Sequence, residues 1–313
     1  MLPSKNKCYE INLFYSIDFF QKNEINGNMK TVFDEETVTN AFILKMKNSK
    51  RDFDKKLLKL CKNTYIQSNE GFKKCNKKYV DNSSKDILFS YYNLFISLEN
   101  NNFDSVKRQN ILVLEEDAEI LDDLIFDEEI KNSINDFIKN NEFSIYSFGS
   151  FGLFETSFNN HKKFLNVLGY CQACVWSYEA RIEYIDIIEK LIYKDEFIPH
   201  LHVDGNIISK FKNKYSFYKP LIIQKFPKTE NMENWCYICN NSKFEKITMK
   251  IYIYFIHNIL KLDKSSNGWY FLYQINNYLL FLFILVLIFI ILNYIRINKY
   301  VNWNILFSSN SES

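Results

Sequence analysis

Asn110-Ile111-Leu112-Val113-Leu114-Glu115-Glu116-Asp117 sets four apolar, β-prone residues between a polar turn and three consecutive carboxylates. A short apolar run of this kind reads as a buried parallel strand that delivers its acids to the carboxyl edge of a sheet. Open α/β sheets bind their ligands at that edge. Three adjoining carboxylates repel one another unless a cation shares them, and an all-oxygen donor set suits Mg2+ or Mn2+ better than a softer metal. The motif points to a divalent ion holding a phosphorylated substrate. The alternative is that these acids merely open the acidic, solvated segment Glu119 to Glu129.

Strand and helix signals alternate on both sides of it. Upstream, Ala41 to Met46 reads as a strand, and Asn48-Ser49 as the cap of a helix carrying Phe53, Leu57, Leu58, Leu60 and Cys61 on one face. The loop between them holds Lys50 and Arg51 near a helix N-terminus, where a phosphate or nucleotide would dock, with a solvated basic turn as the equal alternative. Thr64 to Ile66 reads as a second short strand. From Asp86, the spacing of Ile87, Leu88, Tyr91, Leu94, Phe95 and Leu98 predicts a helix that stops at Asn100-Asn101-Asn102.

Downstream, a helix with Ile130, Ile134, Phe137 and Ile138 inward precedes a strand over Phe143 to Phe148 and a loop containing Gly149 and Gly152. Tyr170 to Trp176 reads as a strand, and Ser177 as the cap of a helix with Ile182, Ile185, Ile188 and Leu191 facing in. These alternations predict a Rossmann-type α/β domain with a mainly parallel sheet and flanking helices.

A chain of 313 residues can bury one sizeable core. Its formal charge of +2 carries no basic stripe able to neutralise many phosphates, so nucleic acid is not an expected partner. The seven cysteines are odd in number and spread out, which argues against a secreted disulfide framework. Two CxxC pairs, Cys171/Cys174 and Cys236/Cys239, have the ligand types of a zinc site. Their separation is far longer than in compact zinc modules, and positions three apart on a strand face opposite ways. His200 and His202, near Asp204, read as structural or solvated, with metal ligation as the alternative. Asp18 interrupts the apolar patch Ile11 to Phe20 and no small-residue cleavage site follows, so no signal peptide is expected.

Tyr278 to Leu292 is an unbroken apolar run; extended through Ile275 and Ile295 it reaches the roughly 20 residues that span a bilayer. Ile247 to Leu260, apolar with lysines around it, reads as a helix lying along the membrane surface. The expected organisation is an N-terminal extension (1–38), the α/β domain (39–240), an amphipathic juxtamembrane segment (241–270), a transmembrane helix (271–295) and a short tail (296–313). Lys261 and Lys264 before the span and Arg296 and Lys299 after it do not orient it. The expectation is a single-pass C-terminal anchor with the domain on the cytosolic side.

Three stretches carry a resemblance: Ile111 to Asp117, Cys171 to Ser177, and Lys219-Pro220-Leu221-Ile222-Ile223-Gln224-Lys225-Phe226-Pro227-Lys228-Thr229-Glu230-Asn231 with Trp235. Between about Asn40 and Trp235 the chain resembles the family 25 glycosyltransferases of lipooligosaccharide-biosynthesis and collagen-galactosyltransferase type, most closely the divergent versions encoded by large DNA viruses. The resemblance implies a GT-A-like fold, a nucleotide-sugar donor and Mn2+ (or Mg2+) at the acidic motif. It implies Glu116 and Asp117 on the metal side, Glu115 as a ribose or supporting contact, and Asp204 as the base that takes the acceptor hydroxyl's proton. Lys50, Arg51, Gln172 and Gln224 are the further candidates for holding the donor. The acceptor, whether protein, lipid or glycan, is not specified. Glu116 stands where the family has Asp, Gln172 where it has His, and His202-Val203-Asp204 where the viral pattern has Asp-Trp-Asp. The expected function is metal-dependent glycosyl transfer to a hydroxyl acceptor. Its alternative is a catalytically weakened or inactive transferase-like interaction protein anchored to the membrane.

Overall fold

The computed structural model describes residues 20–24, 31–47, 54–69, 71, 80, 83–100, 104–158, 160–169, 172–193, 206–224, 247, 250–251, 254–261, 278, 282 and 284–295. The chain divides into two compact units, Met1–Tyr270 and Phe271–Ser313.

The first unit is a mixed, Rossmann-like α/β structure. In chain order its strands are β1 (Phe20–Glu24), β2 (Asn40–Met46), β3 (Asn63–Asn69), β4 (Ile111–Glu115), β5 (Ala118–Ile120), β6 (Ile145–Ser147), β7 (Phe151–Phe158), β8 (His161–Gly169), β9 (Ala173–Trp176), β10 (Lys214–Phe217) and β11 (Ile222–Gln224). Nine of them form one sheet in the order β1-β3-β2-β4-β9-β6-β10-β8-β7, while β5 and β11 pair separately. Six of the nine share one direction, and β1, β8 and β9 oppose it. The sheet is thus mainly parallel in direction, as the alternating signals suggest, but β9 runs antiparallel between β4 and β6.

Among the described residues the α-helices of this unit with assigned bounds are α1 (Ser83–Asn100), α2 (Asp104–Lys107), α3 (Asp122–Phe126), α4 (Glu128–Asn140) and α5 (Tyr178–Tyr193). Alternate residues of each central strand enter two different cores. Phe42, Ile111, Val113, Cys174 and Trp176 pack with α1 and α5. Ala41, Ile43, Leu112, Leu114, Ala173 and Val175 pack with α3 and α4. Burial on both faces explains why β4 reads as a continuous apolar run rather than an alternating one. Trp176 is enclosed by the rings of Tyr91, Phe95, Tyr184 and Phe211, at centroid distances of 5.8, 5.0, 5.6 and 5.8 Å.

Several local expectations are corrected. The helix expected from Asn48-Ser49 is a short 3-10 turn, Lys55–Lys59, capped instead by Asp54, whose carboxylate accepts from the Lys56 amide at 2.9 Å. Ile182 is exposed, because α5 turns Ala180, Arg181, Tyr184 and Ile188 inward. Ser177 does cap α5, its hydroxyl accepting from the Ala180 amide at 3.2 Å. Of the strand expected from Tyr170, residues 170 and 171 lie outside the described residues and Ala173–Trp176 is β9, while the expected loop after β6 becomes the β7–β8 hairpin. Register shifts at three places in that hairpin break the two-residue alternation by which a strand is read from sequence.

In the second unit, residues 284–295 are helical. Among the described residues no helix is long and apolar enough to cross a membrane. Most of residues 271–283 of the expected span lies outside the described residues.

Candidate functional site

β4 stops pairing at Glu115, and Glu116-Asp117 form a turn that redirects the chain into β5. The turn is tied to both neighbouring strands. The Glu115 amide donates to the Gln172 carbonyl at 2.8 Å, and the Glu116 amide to the Leu44 carbonyl at 3.1 Å. Glu116 is only 8% exposed. The acids of this motif are therefore set apart from those that follow. Asp122 pairs with Lys56 at 2.7 Å, and Asp127 caps α4 by accepting from the Glu129 and Ile130 amides at 3.0 and 3.2 Å.

β5 carries the turn to β11, with Ala118 opposite Gln224 and Ile120 opposite Ile222. That register brings the Gln224 amide to Asp117, to which it donates at 2.9 Å. The Gln172 amide donates to the Ile222 carbonyl at 3.0 Å. Gln172 is 1% exposed, and its Oε1 has no hydrogen-bond partner among the described residues. The Phe148 carbonyl accepts from the Leu221 and Ile222 amides at 2.7 and 3.1 Å, so the end of β6 also belongs to the assembly. Gly149 completes it by close approach: a Cβ there would stand 2.0 Å from the Ile222 carbonyl oxygen and 2.8 Å from Gln172 Nε2. In the sequence Gly149 reads as a loop residue, and nothing local marks its contact with a strand more than seventy positions later.

The fold thus gathers Glu115, Glu116, Asp117, Gln172 and Gln224 at the carboxyl edge of β4. Lys50, Arg51 and Asp204 lie outside the described residues. The segment containing Lys50 and Arg51 leaves β2 beside β4 and returns at Asp54, whose carboxylate accepts from the Ile120 amide at 3.2 Å. Both of its ends are therefore anchored to the elements that frame the acidic turn.

Among the described residues no group of three or more His, Cys, Asp and Glu side chains converges to hold a metal by itself. Glu116 and Asp117 nevertheless supply hard oxygen donors on adjoining positions. Mg2+-like ions use one or two carboxylates and take their other ligands from water and substrate phosphates, so the donor chemistry fits a shared ion. For the CxxC alternative, Cys174 is buried in the apolar core with Val113, Ile145 and Trp176, and the other three cysteines lie outside the described residues.

A buried polar cluster with no local signal in the sequence joins β6, β8 and α4. His161 Nδ1 lies 2.8 Å from the Tyr146 hydroxyl and Nε2 lies 3.1 Å from Ser133 Oγ, while the Phe137 ring stacks on the imidazole at 4.2 Å. Burial pushes its pKa from the ordinary 6.5 down to about 4, against a smaller upward pull from Ser133. The folded state holds the ring neutral while the unfolded chain protonates first as pH falls. Stability from this group is therefore complete above about pH 6.5 and lost as pH falls toward 4, by up to about 3 kcal/mol. Urea midpoints measured across this window should fall for the wild type, and His161→Gln should flatten that dependence. Parallel slopes in the two proteins would contradict it.

No family model and no curated protein sequence matches this chain.

Proposed function

We propose that the chain is a metal-dependent glycosyltransferase of GT-A-like architecture that moves a sugar from a nucleotide-sugar donor to a hydroxyl acceptor. The observation that carries this reading is the convergence of three stretches far apart in sequence, those of Glu115 to Asp117, Gln172 and Gln224, on one turn at the carboxyl edge of β4. These are the stretches in which the family resemblance resides, and the edge is where open α/β sheets take nucleotides.

Glu116 and Asp117 would hold Mn2+ or Mg2+. Such an ion would supply positive charge against the diphosphate as it leaves. Gln224 holds Asp117 in one orientation by donating to one of its oxygens. Gln172, pinned through its Nε2, offers Oε1 as a buried acceptor for a donor hydroxyl. Glu115 reaches the same edge as a ribose contact, and Lys50 and Arg51 would face the diphosphate. Asp204 is the proposed base for the acceptor hydroxyl. The apolar side chains from Ile284 to Leu292 are 43–68% exposed around more than two helical turns, which supports the segment 271–295 as a bilayer anchor.

One observation favours a second reading, a membrane-anchored interaction protein that keeps the scaffold without turnover: an Asp117 oxygen is already engaged by Gln224. Calorimetric titration of the full chain in detergent with UDP and GDP, with and without Mn2+, separates the two. Transferase function requires nucleotide binding strengthened by Mn2+, because the ion and the diphosphate share ligands. Asp117→Ala should weaken that binding at least tenfold while leaving the melting temperature close to wild type. Absence of binding of either nucleotide by the folded chain would favour the scaffold.

A further inference from the structure

Ahead of the second unit, residues 247, 250, 251 and 254 are helical, and Phe255–Ile259 continues them as a π-helical turn. Ile247, Ile251, Tyr254, Phe255 and Ile259 are all exposed, between 43% and 63%. Steps of four, three, one and four residues place them on a single side of a helix. Scattered exposed apolar residues are ordinary on a protein surface, but a continuous stripe of five large ones marks an interaction face. The stripe ends abruptly: the Leu260 amide closes back to the Phe255 carbonyl at 2.9 Å, and Lys261 adopts a φ of 50°, a left-handed conformation that stops the helix.

We infer that this stripe docks into the headgroup boundary of an anionic lipid bilayer, a role that does not rest on the transferase reading. Charge selects the occupant. Between residues 243 and 264 there are five lysines against two acids. Lys250 is exposed on the helix and Lys261 sits at its end, where long basic side chains reach headgroups while the apolar stripe enters the acyl boundary. Tyr254 suits the same boundary, with an apolar ring and a polar tip. A second copy of the stripe would bring these lysines together and be repelled, whereas anionic lipid neutralises them. Continuity of the chain agrees: nineteen residues after Ile259 begins the apolar run Tyr278 to Leu292.

The test uses the full chain reconstituted in vesicles of phosphatidylcholine alone or mixed with phosphatidylserine. A diazirine-bearing leucine analogue is installed singly at position 251, at position 126, whose phenylalanine is 74% exposed on α3, or at position 289 in the apolar run. Photolysis at 251 should give a phospholipid adduct by mass spectrometry, favoured in the phosphatidylserine vesicles, and photolysis at 126 should give none. Lys250→Gln should lower the adduct yield at 251 about fivefold in the phosphatidylserine vesicles and leave it unchanged in phosphatidylcholine, the effect of one lysine near an anionic surface. Lipid adducts at 289 with none at 251 would overturn the proposal while leaving the anchor intact. A protein adduct at 251 in place of lipid would overturn it in favour of a protein partner.

Discussion

Gly149→Ala is expected to destabilise the first unit by about 3 kcal/mol, near the upper end of what one inserted methyl costs in a packed site. The new Cβ would lie 2.0 Å from the Ile222 carbonyl oxygen, and that carbonyl belongs to a segment whose Leu221 and Ile222 amides both donate hydrogen bonds to the Phe148 carbonyl. Neither backbone can retreat without breaking those bonds. If β11 moves, Gln172 loses its carbonyl acceptor and Gln224 is drawn away from Asp117. On the proposed transferase reading, the variant should therefore weaken Mn2+-dependent nucleotide binding even in the fraction that stays folded. Gly71→Ala is the natural control, because among the described residues its Cβ would meet the terminal methyl of Met46 at 2.5 Å, a flexible side chain that can swing aside. Chemical denaturation of the two variants side by side is the measurement. A Gly149→Ala midpoint equal to that of Gly71→Ala would show that the close approach does not constrain the fold.

Arg181→Met should cost a comparable amount, about 3 to 5 kcal/mol, for a different reason. The guanidinium is fully buried, and burial pulls its pKa down to about 10 against the attraction of Glu99. Nη2 donates to the Lys107 and Gln109 carbonyls at 2.8 and 3.0 Å, and Nη1 lies 3.6 Å from Glu99. Arg181 thereby joins α5 to the turn that feeds β4, and through Glu99 to the end of α1. Methionine fills the volume but removes the donor from two part-buried carbonyls and leaves Glu99 with Lys107 at 3.8 Å. Arg181→Lys should recover only part of the loss, because an ammonium lacks the planar fork that reaches both carbonyls. Arg181 sits at the opposite end of β4 from Asp117, so the variant should unfold at lower denaturant and, on the proposed transferase reading, bind nucleotide normally where folded. Near-wild-type stability of Arg181→Met would contradict this account.

The two variants mark where sequence reading succeeds and where it stops. β4 was legible because four consecutive apolar residues ending in acids admit few other placements. α1 and α4 were legible through their apolar spacing, and the α5 cap through Ser177. Each of these signals is complete within a dozen residues. The 3-10 turn differs from the expected helix because Asn48, Ser49 and Asp54 are all competent caps by residue type, and Asp54 is held by the distant Ile120 amide as well as by the local Lys56 amide. The β7–β8 hairpin was missed because its bulges hide the alternation. The inward face of α5 was misjudged because a buried arginine occupies a position that hydrophobicity assigns to solvent.

The candidate site divides in the same way. Sequence alone determined its residue types: oxygen donors on one short strand end and two glutamines in separate apolar stretches. Only the tertiary structure decided that Glu116 is buried, that Gln224 orients Asp117, and that Gly149 must lack a side chain. The physical reason is range. Residue type and local period are properties of neighbouring positions, whereas the β5–β11 register joins residues about a hundred positions apart, and that pairing sets which carbonyl faces Gly149 and which amide reaches Asp117.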